Sequence, residues 1–229
     1  MLGLLIKSTH EISIYGDKSL SKRDFKRVMD PLKQFGAKFK PANKNNLPFK
    51  ILGSEFSKPI NYFETRGSAQ CKSAVILAAL NTPGKTRINA KKSRNHTELF
   101  LKYLNLPLKI KNKKIHDLIE IRGENQFKSF DYQIPGDISS SSFFIVLTLL
   151  TKNSKLKIKN VNVNPSRIGF IKIINKMGGN IKFINKRDVF GEQLADICVN
   201  SQKTFKPINC PVKLNSNAID AVSYTHLTL

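Results

Sequence analysis

Two short segments of this 229-residue chain carry residue types suited to holding an anion. Gly67-Ser68-Ala69-Gln70 opens one apolar run of helical length, and Gly136-Asp137-Ile138-Ser139, continuing through Ser140, Ser141 and Ser142, opens another. A helix start offers free N–H groups and the positive end of the helix dipole, and serine hydroxyls add donors without bulk. Ser68, Gln70 and Ser139–Ser142 are therefore candidates for phosphate or carboxylate, although Ser and Asp serve equally as ordinary N-caps. Arg23 and Arg94 begin further helical patterns at the end where the dipole does not ask for a cation. A guanidinium there can join the N–H groups in clamping an anion through its bidentate fork, or make a plain surface ion pair. His10, His96, His116 and His226 have no metal-ligand spacing with cysteine or with one another, so no metal and no other cofactor is assigned.

The elements that must position these residues recur along the chain. Asp24–Phe35, Asn95–Leu104 and Ile168–Met177 each place apolar residues at helical spacing, and each follows a basic pair or a Ser-Arg. Their arginines, Arg23, Arg94 and Arg167, lie 71 and 73 residues apart. In step with them, the apolar runs Ala74–Leu80 and Phe143–Leu150 read as buried helices, followed by the strands Thr86–Ala90 and Lys155–Val161. Met1–Ile14 reads as the tail of a third copy. Leu108–Asn112, His116–Arg122 and Phe130–Ile134 read as strands, and Pro41–Pro48 as a surface loop. A period near 72 residues exceeds that of solenoids, which predicts an α/β chain of a few large βαβαββ units with parallel pairing inside each. The clearest boundary falls at Ile134-Pro135-Gly136, giving residues 1–134 and 135–220 as two parts.

Composition sets the limits. The 39 Lys and Arg against 16 Asp and Glu give a net charge of +23, and hydrophobic residues make up 40%. Such an apolar fraction sustains a folded core, which argues against disorder. No run reaches the ~18 apolar residues of a membrane span, and Met1–Ile6 lacks the flanks of a signal peptide. Three cysteines without a Cys-x-x-Cys pair argue for a reducing, cytoplasmic setting. Only eight of the basic residues are Arg, and Lys is spread over nearly every element alongside Asn and Ile. That distribution fits a solvated surface better than a nucleic-acid face, which would cluster its charge. Anionic small substrates fit either.

Several segments together resemble one family. Gly16-Asp17-Lys18-Ser19-Leu20-Ser21-Lys22-Arg23 with Arg27-Val28 and Pro31-Leu32 is similar to a segment of 5-enolpyruvylshikimate-3-phosphate synthases. So, in order and spacing, are Gly67-Ser68-Ala69-Gln70-Cys71-Lys72-Ser73-Ala74, Ser93-Arg94-Asn95-His96-Thr97-Glu98, Pro135-Gly136-Asp137, Asn164-Pro165-Ser166-Arg167 and Ala218-Ile219-Asp220. The resemblance covers about residues 1–220 and implies an inside-out α/β barrel of repeated βαβαββ units in two similar domains, incomplete here. It implies transfer of the enolpyruvyl group of phosphoenolpyruvate to the 5-hydroxyl of shikimate 3-phosphate, with no cofactor, in a cytoplasmic enzyme that is monomeric at full length. By position, Arg23 and Gln70 match residues that hold phosphoenolpyruvate. Ser68, Ala69, Gln70 and Arg94 match residues that hold shikimate 3-phosphate. Asp220 matches the catalytic carboxylate, which also hydrogen-bonds that substrate's ring hydroxyls.

Some residues depart from the family pattern. Lys18 mimics the family's N-terminal Gly-Asp-Lys-Ser lysine, yet Asp24–Val28 behind it matches a later motif, so Lys18 is not assigned that role. Asp24 stands where a proline is usual, and residues 221–229 leave the pattern, which reads as a non-native tail. The resemblance therefore predicts a piece lacking both ends and little activity on its own. Two rival readings are a UDP-N-acetylglucosamine enolpyruvyl transferase, which the Ser-Ala-Gln and Ser-Arg-Asn-His-Thr-Glu segments fit less well, and a basic nucleic-acid-binding module.

Overall fold

The helical and strand periods of the sequence resolve into three consecutive copies of one folding pattern. The computed structural model describes residues 1–123, 129–211, 214, 217 and 218. A 3-10 helix (Leu2–Lys7) is followed by β1 (Ile12–Ile14), α1 (Lys18–Ser21), α2 (Lys26–Gln34), β2 (Lys38–Lys40) and β3 (Phe49–Leu52). The middle copy comprises β4 (Asn61–Glu64), α3 (Ala69–Leu80), β5 (Lys85–Lys91), α4 (His96–Tyr103), β6 (Leu108–Asn112) and β7 (His116–Arg122). The last contains α5 (Ile138–Leu150), β8 (Lys155–Asn162), α6 (Gly169–Lys176), β9 (Asn180–Val189) and β10 (Glu192–Asn200).

The sheets repeat with the sequence. Their strand orders are β1-β3-β2, β4-β5-β7-β6 and β8-β10-β9, so in every copy the strand before the amphipathic helix pairs antiparallel with the last strand of the closing hairpin. Among the described residues the middle copy has a full leading strand, with β4 parallel to β5. In the last copy that strand shrinks to one parallel bridge, Gly136 to Val161. The anticipated strand Phe130–Ile134 does not form. Alternation of Phe130, Tyr132 and Ile134 is a local signal, whereas a strand exists only where a neighbour supplies the ladder, and Pro135 removes a donor at that point.

The chain divides into two compact units, Met1–Lys128 and Ser129–Leu229. In the first, α3 is the axis of the core: Val75, Ile76, Ala78 and Ala79 are buried together with Ile6, Met29, Leu32, Phe35, Ile88 and Ile121. Gly3 lets the 3-10 helix lie against α3, because a Cβ there would run into the Ala74 carbonyl. The core of the second unit gathers Ile138, Ile145, Leu149, Val161, Phe170, Ile171 and Ile197. There the sequence reading of α5 as a wholly buried helix is corrected. Ile138, Ser142 and Ile145 are buried, but Phe143, Phe144, Leu147 and Leu150 are each more than half exposed. Hydrophobic periodicity reports that a residue is apolar, not that something covers it.

Candidate anion-binding site

In the first unit the register Asn61↔Arg87 through Glu64↔Ala90 brings the C-terminal ends of β4 and β5 out along one edge. Each strand then runs into a helix start, the arrangement in which α/β sheets place their ligands. After β4, the buried Glu64 carboxylate accepts the N–H groups of Arg66 (3.1 Å) and Gly67 (2.6 Å). Gly67 sits at φ +75°, left-handed backbone that favours glycine, and a Cβ on it would lie 3.5 Å from the Lys92 carbonyl. The two loops thus approach closely. Ser68 then caps α3, its Oγ accepting the Cys71 N–H at 3.2 Å.

After β5 the chain passes Lys92, Ser93, Arg94 and Asn95 into α4. Two contacts tie the first turns of the helices together. Ser73 and Thr97 share a hydroxyl–hydroxyl hydrogen bond of 2.7 Å, and Lys72 Nζ lies 2.5 Å from Glu98 Oε1. Ser68, Ala69 and Arg94 are half-buried and Gln70 is exposed, all four at the same edge. Arg23 lies in the turn after α1 with its side chain exposed and its N–H bonded to the Leu20 carbonyl (3.1 Å). Asp220 lies outside the described residues.

The structure also draws in residues that the sequence reading did not single out. Glu64 shapes the loop before α3, Lys72 and Glu98 join the two helices, and Arg27 on α2 acts on Tyr62 of β4. Burial pushes the Tyr62 hydroxyl up to about 12, aided by Cys71 and Glu64 and opposed by Arg27 and Arg66. It therefore remains a neutral donor at ordinary pH. One signal for Lys72 was present: a lone cation within the apolar run Ala69–Leu80.

The second unit repeats the layout with different chemistry. Asp137 caps α5, accepting the Ser140 N–H (2.9 Å) and hydroxyl (3.0 Å). Arg167, the counterpart of Arg94, donates to Asp137 Oδ1 (2.8 Å) and Ser139 Oγ (2.7 Å). The position where the first unit has a neutral cap is filled here by the chain's own carboxylate.

A sequence profile of EPSP synthase (3-phosphoshikimate 1-carboxyvinyltransferase) matches residues 1–222. The chain belongs to the EPSP synthase family. Among curated relatives, the 3-phosphoshikimate 1-carboxyvinyltransferase of Petrotoga mobilis is 42% identical over 205 residues, covering 88% of this chain and 46% of the relative. That of Zymomonas mobilis is 37% identical, covering 96% of this chain and 49% of the relative. The chain thus spans about half the length of the EPSP synthases it matches. A 2.37 Å structure of EPSP synthase from Acinetobacter baumannii superposes with a TM-score of 0.82 at 32% identity, covering 98% of this chain and 50% of that one. The enolpyruvyl transferase NikO from Streptomyces tendae, at 13% identity and a TM-score of 0.57, shares the fold.

Proposed function

We propose that the chain serves the reaction for which its EPSP synthase relatives are named. The 5-hydroxyl of shikimate 3-phosphate loses its proton and adds to C2 of phosphoenolpyruvate while C3 is protonated; C3 then gives up a proton as phosphate leaves C2, which restores the double bond. The observation that carries this reading is the pair of helix starts at the β4/β5 edge, with neutral Ser68 capping one and Arg94 opening the other. In the second unit Asp137 meets Arg167 internally. In the first unit the residue at that place is the neutral Ser68, so no carboxylate caps α3. Both substrates are multiply anionic, so cationic side chains and helix N–H groups supply binding, orientation and stabilisation of the charge that develops.

In this reading Ser68, Ala69, Gln70 and Arg94 hold shikimate 3-phosphate, and Arg23 with Gln70 hold phosphoenolpyruvate. Asp220 binds the ring hydroxyls and accepts the proton of the 5-hydroxyl. Residues 1–134 then form a partial first domain, 135–220 the start of a second and 221–229 a non-native tail. The whole enzyme is a cytoplasmic monomer with no nucleic-acid partner. Among the described residues no helix is long and apolar enough to cross a membrane.

Calorimetric titration tests the reading. Shikimate 3-phosphate should bind the chain, and Arg94→Ala should weaken that binding about tenfold, the scale of one charge-assisted contact. UDP-N-acetylglucosamine should not compete. Equal affinities for parent and variant would remove Arg94 from the site, and no binding to the parent would remove the site itself.

A further inference from the structure

We propose that the buried pair Lys72–Glu98 is a positioning device for the anion site, holding the first turns of α3 and α4 in the register that lets Ser68–Gln70 and Arg94 address one ligand. The inference rests on the function proposed above. Lys72 and Glu98 side chains are 1% and 4% exposed, and their 2.5 Å contact is a close ion pair rather than a well-directed hydrogen bond. The second Glu98 oxygen, Oε2, is buried with no hydrogen-bond partner among the described residues. Such a pair is a poor source of stability, because withdrawing two charges from water costs as much as their attraction returns. What it supplies is direction. Lys72 meets Glu98 and the next residue, Ser73, meets Thr97, so the helices are pinned at one crossing beside both starts.

The internal repeat fastens its helix starts in another way. Aligned on Gly67/Gly136 and Arg94/Arg167, the second unit has Ser141 where Lys72 stands and Ile171 where Glu98 stands. Both are buried and neither is charged. There the helix starts are fastened by Arg167 itself, through Asp137 and Ser139. In the first unit the cap is neutral, and the lock is moved one turn behind the site, where it does not compete with an anion.

The pair is tested by the double substitution Lys72→Met/Glu98→Leu, apolar and of similar volume. Three quantities are measured: thermal midpoint, affinity for shikimate 3-phosphate, and amide hydrogen exchange of the ligand-free chain. The midpoint should stay within a few degrees of the parent, while affinity falls about tenfold or more, as expected when ligand-holding groups shift on the ångström scale. Exchange should quicken at residues 69–72 and 96–99 but not in β7. Parent-like affinity and exchange would overturn the proposal. Should the double variant fail to fold, Glu98→Asp decides: it keeps the charge, shortens the reach by one methylene, and should also lower affinity and loosen both helix starts. If the parent binds no shikimate 3-phosphate, the proposed function fails, and exchange in the ligand-free variants still upholds or overturns the lock.

Discussion

At the scale of single residues, the two units differ most in what stands at the helix cap. Burial pushes the Asp137 carboxyl up, but the Ser140 N–H and hydroxyl and the Arg167 guanidinium outweigh it, and its pKa is lowered. A second carboxylate in this unit is also held low. Asp196 accepts the N–H of Asn160 (3.0 Å) and the side-chain amide of Asn185 (3.0 Å), with Lys157 at 3.3 Å, at an irregularity in the β8–β10 pairing. Asn160 and Asn185 both take left-handed backbone, at φ 55° and 50°, at register shifts within β8 and β9, and the Asp196 carboxylate ties the two strands together there. The Asn160 N–H, then Asn185, lower Asp196 to about 2 from an ordinary 3.8, against burial. Between those values the unfolded chain binds more protons than the folded one, so stability rises with pH there and is lost as pH falls from about 4 towards 2. Asp196→Asn should therefore be less stable than the parent at neutral pH, and the gap should narrow across that window. Urea midpoints measured from pH 2 to 7 check this; parallel curves for the two proteins would refute it.

At the scale of elements, α3 and α5 occupy equivalent places in their repeats yet differ in what surrounds them. The 3-10 helix, α2 and the sheet enclose α3, whereas Phe143, Phe144, Leu147 and Leu150 give α5 a bare apolar stripe. Phe144→Glu combined with Leu147→Lys should change stability by no more than about 0.5 kcal/mol, as surface substitutions do. The same double variant should bind less of a hydrophobic dye and associate less. Ile145→Ala on the covered side should cost about 2–5 kcal/mol. A double variant as damaged as Ile145→Ala would show that the stripe is covered. This contrast also marks what the sequence can disclose. The hairpin strands Leu108–Asn112 and His116–Arg122 form over the residues anticipated from their alternation, and Ser68 and Asp137 start their helices because cap chemistry is local. Phe130–Ile134 fails because pairing is not local. Asp24 was read as the first helical residue, but its carboxylate instead accepts the Lys26 N–H (2.7 Å), and α2 begins there. For the site, Ser68, Gln70 and Arg94 were legible as residue types at helix starts. Lys72 shows in the sequence only as a lone cation in an apolar run, and its pairing with Glu98 does not show at all, because a pair 26 residues apart on two helices leaves no periodic trace.

At the scale of the whole molecule, a net charge of +23 exceeds anything local pairing can absorb. Glu11 serves both Lys40 and Lys50, and Glu120 serves both Lys85 and Arg87, so single carboxylates are shared between cations. Hydrogen bonds from Lys40 and Lys50 hold Glu11 below the ordinary carboxylate range, and one from Lys85 does the same for Glu120. Many other lysines, Lys109, Lys111, Lys113, Lys114, Lys155 and Lys159 among them, are exposed to water. Folding concentrates these like charges, so self-repulsion opposes the compact state. Raising sodium chloride from about 0.02 to 0.3 M shortens the screening length from roughly 20 Å to roughly 6 Å. Repulsion between well-separated lysines is then removed, whereas close pairs such as the buried Lys72–Glu98 lose little. The thermal midpoint should therefore rise with salt over this range. A midpoint that falls would mean that the exposed ion pairs outweigh the repulsion among unpaired cations. The same field draws any polyanion, so duplex DNA should be retained at low salt and released steeply as salt rises. Shikimate 3-phosphate makes fewer ionic contacts, and its affinity should fall with a much shallower slope. DNA retention that persists at 0.3 M salt, without a response to shikimate 3-phosphate, would return the chain to the nucleic-acid reading.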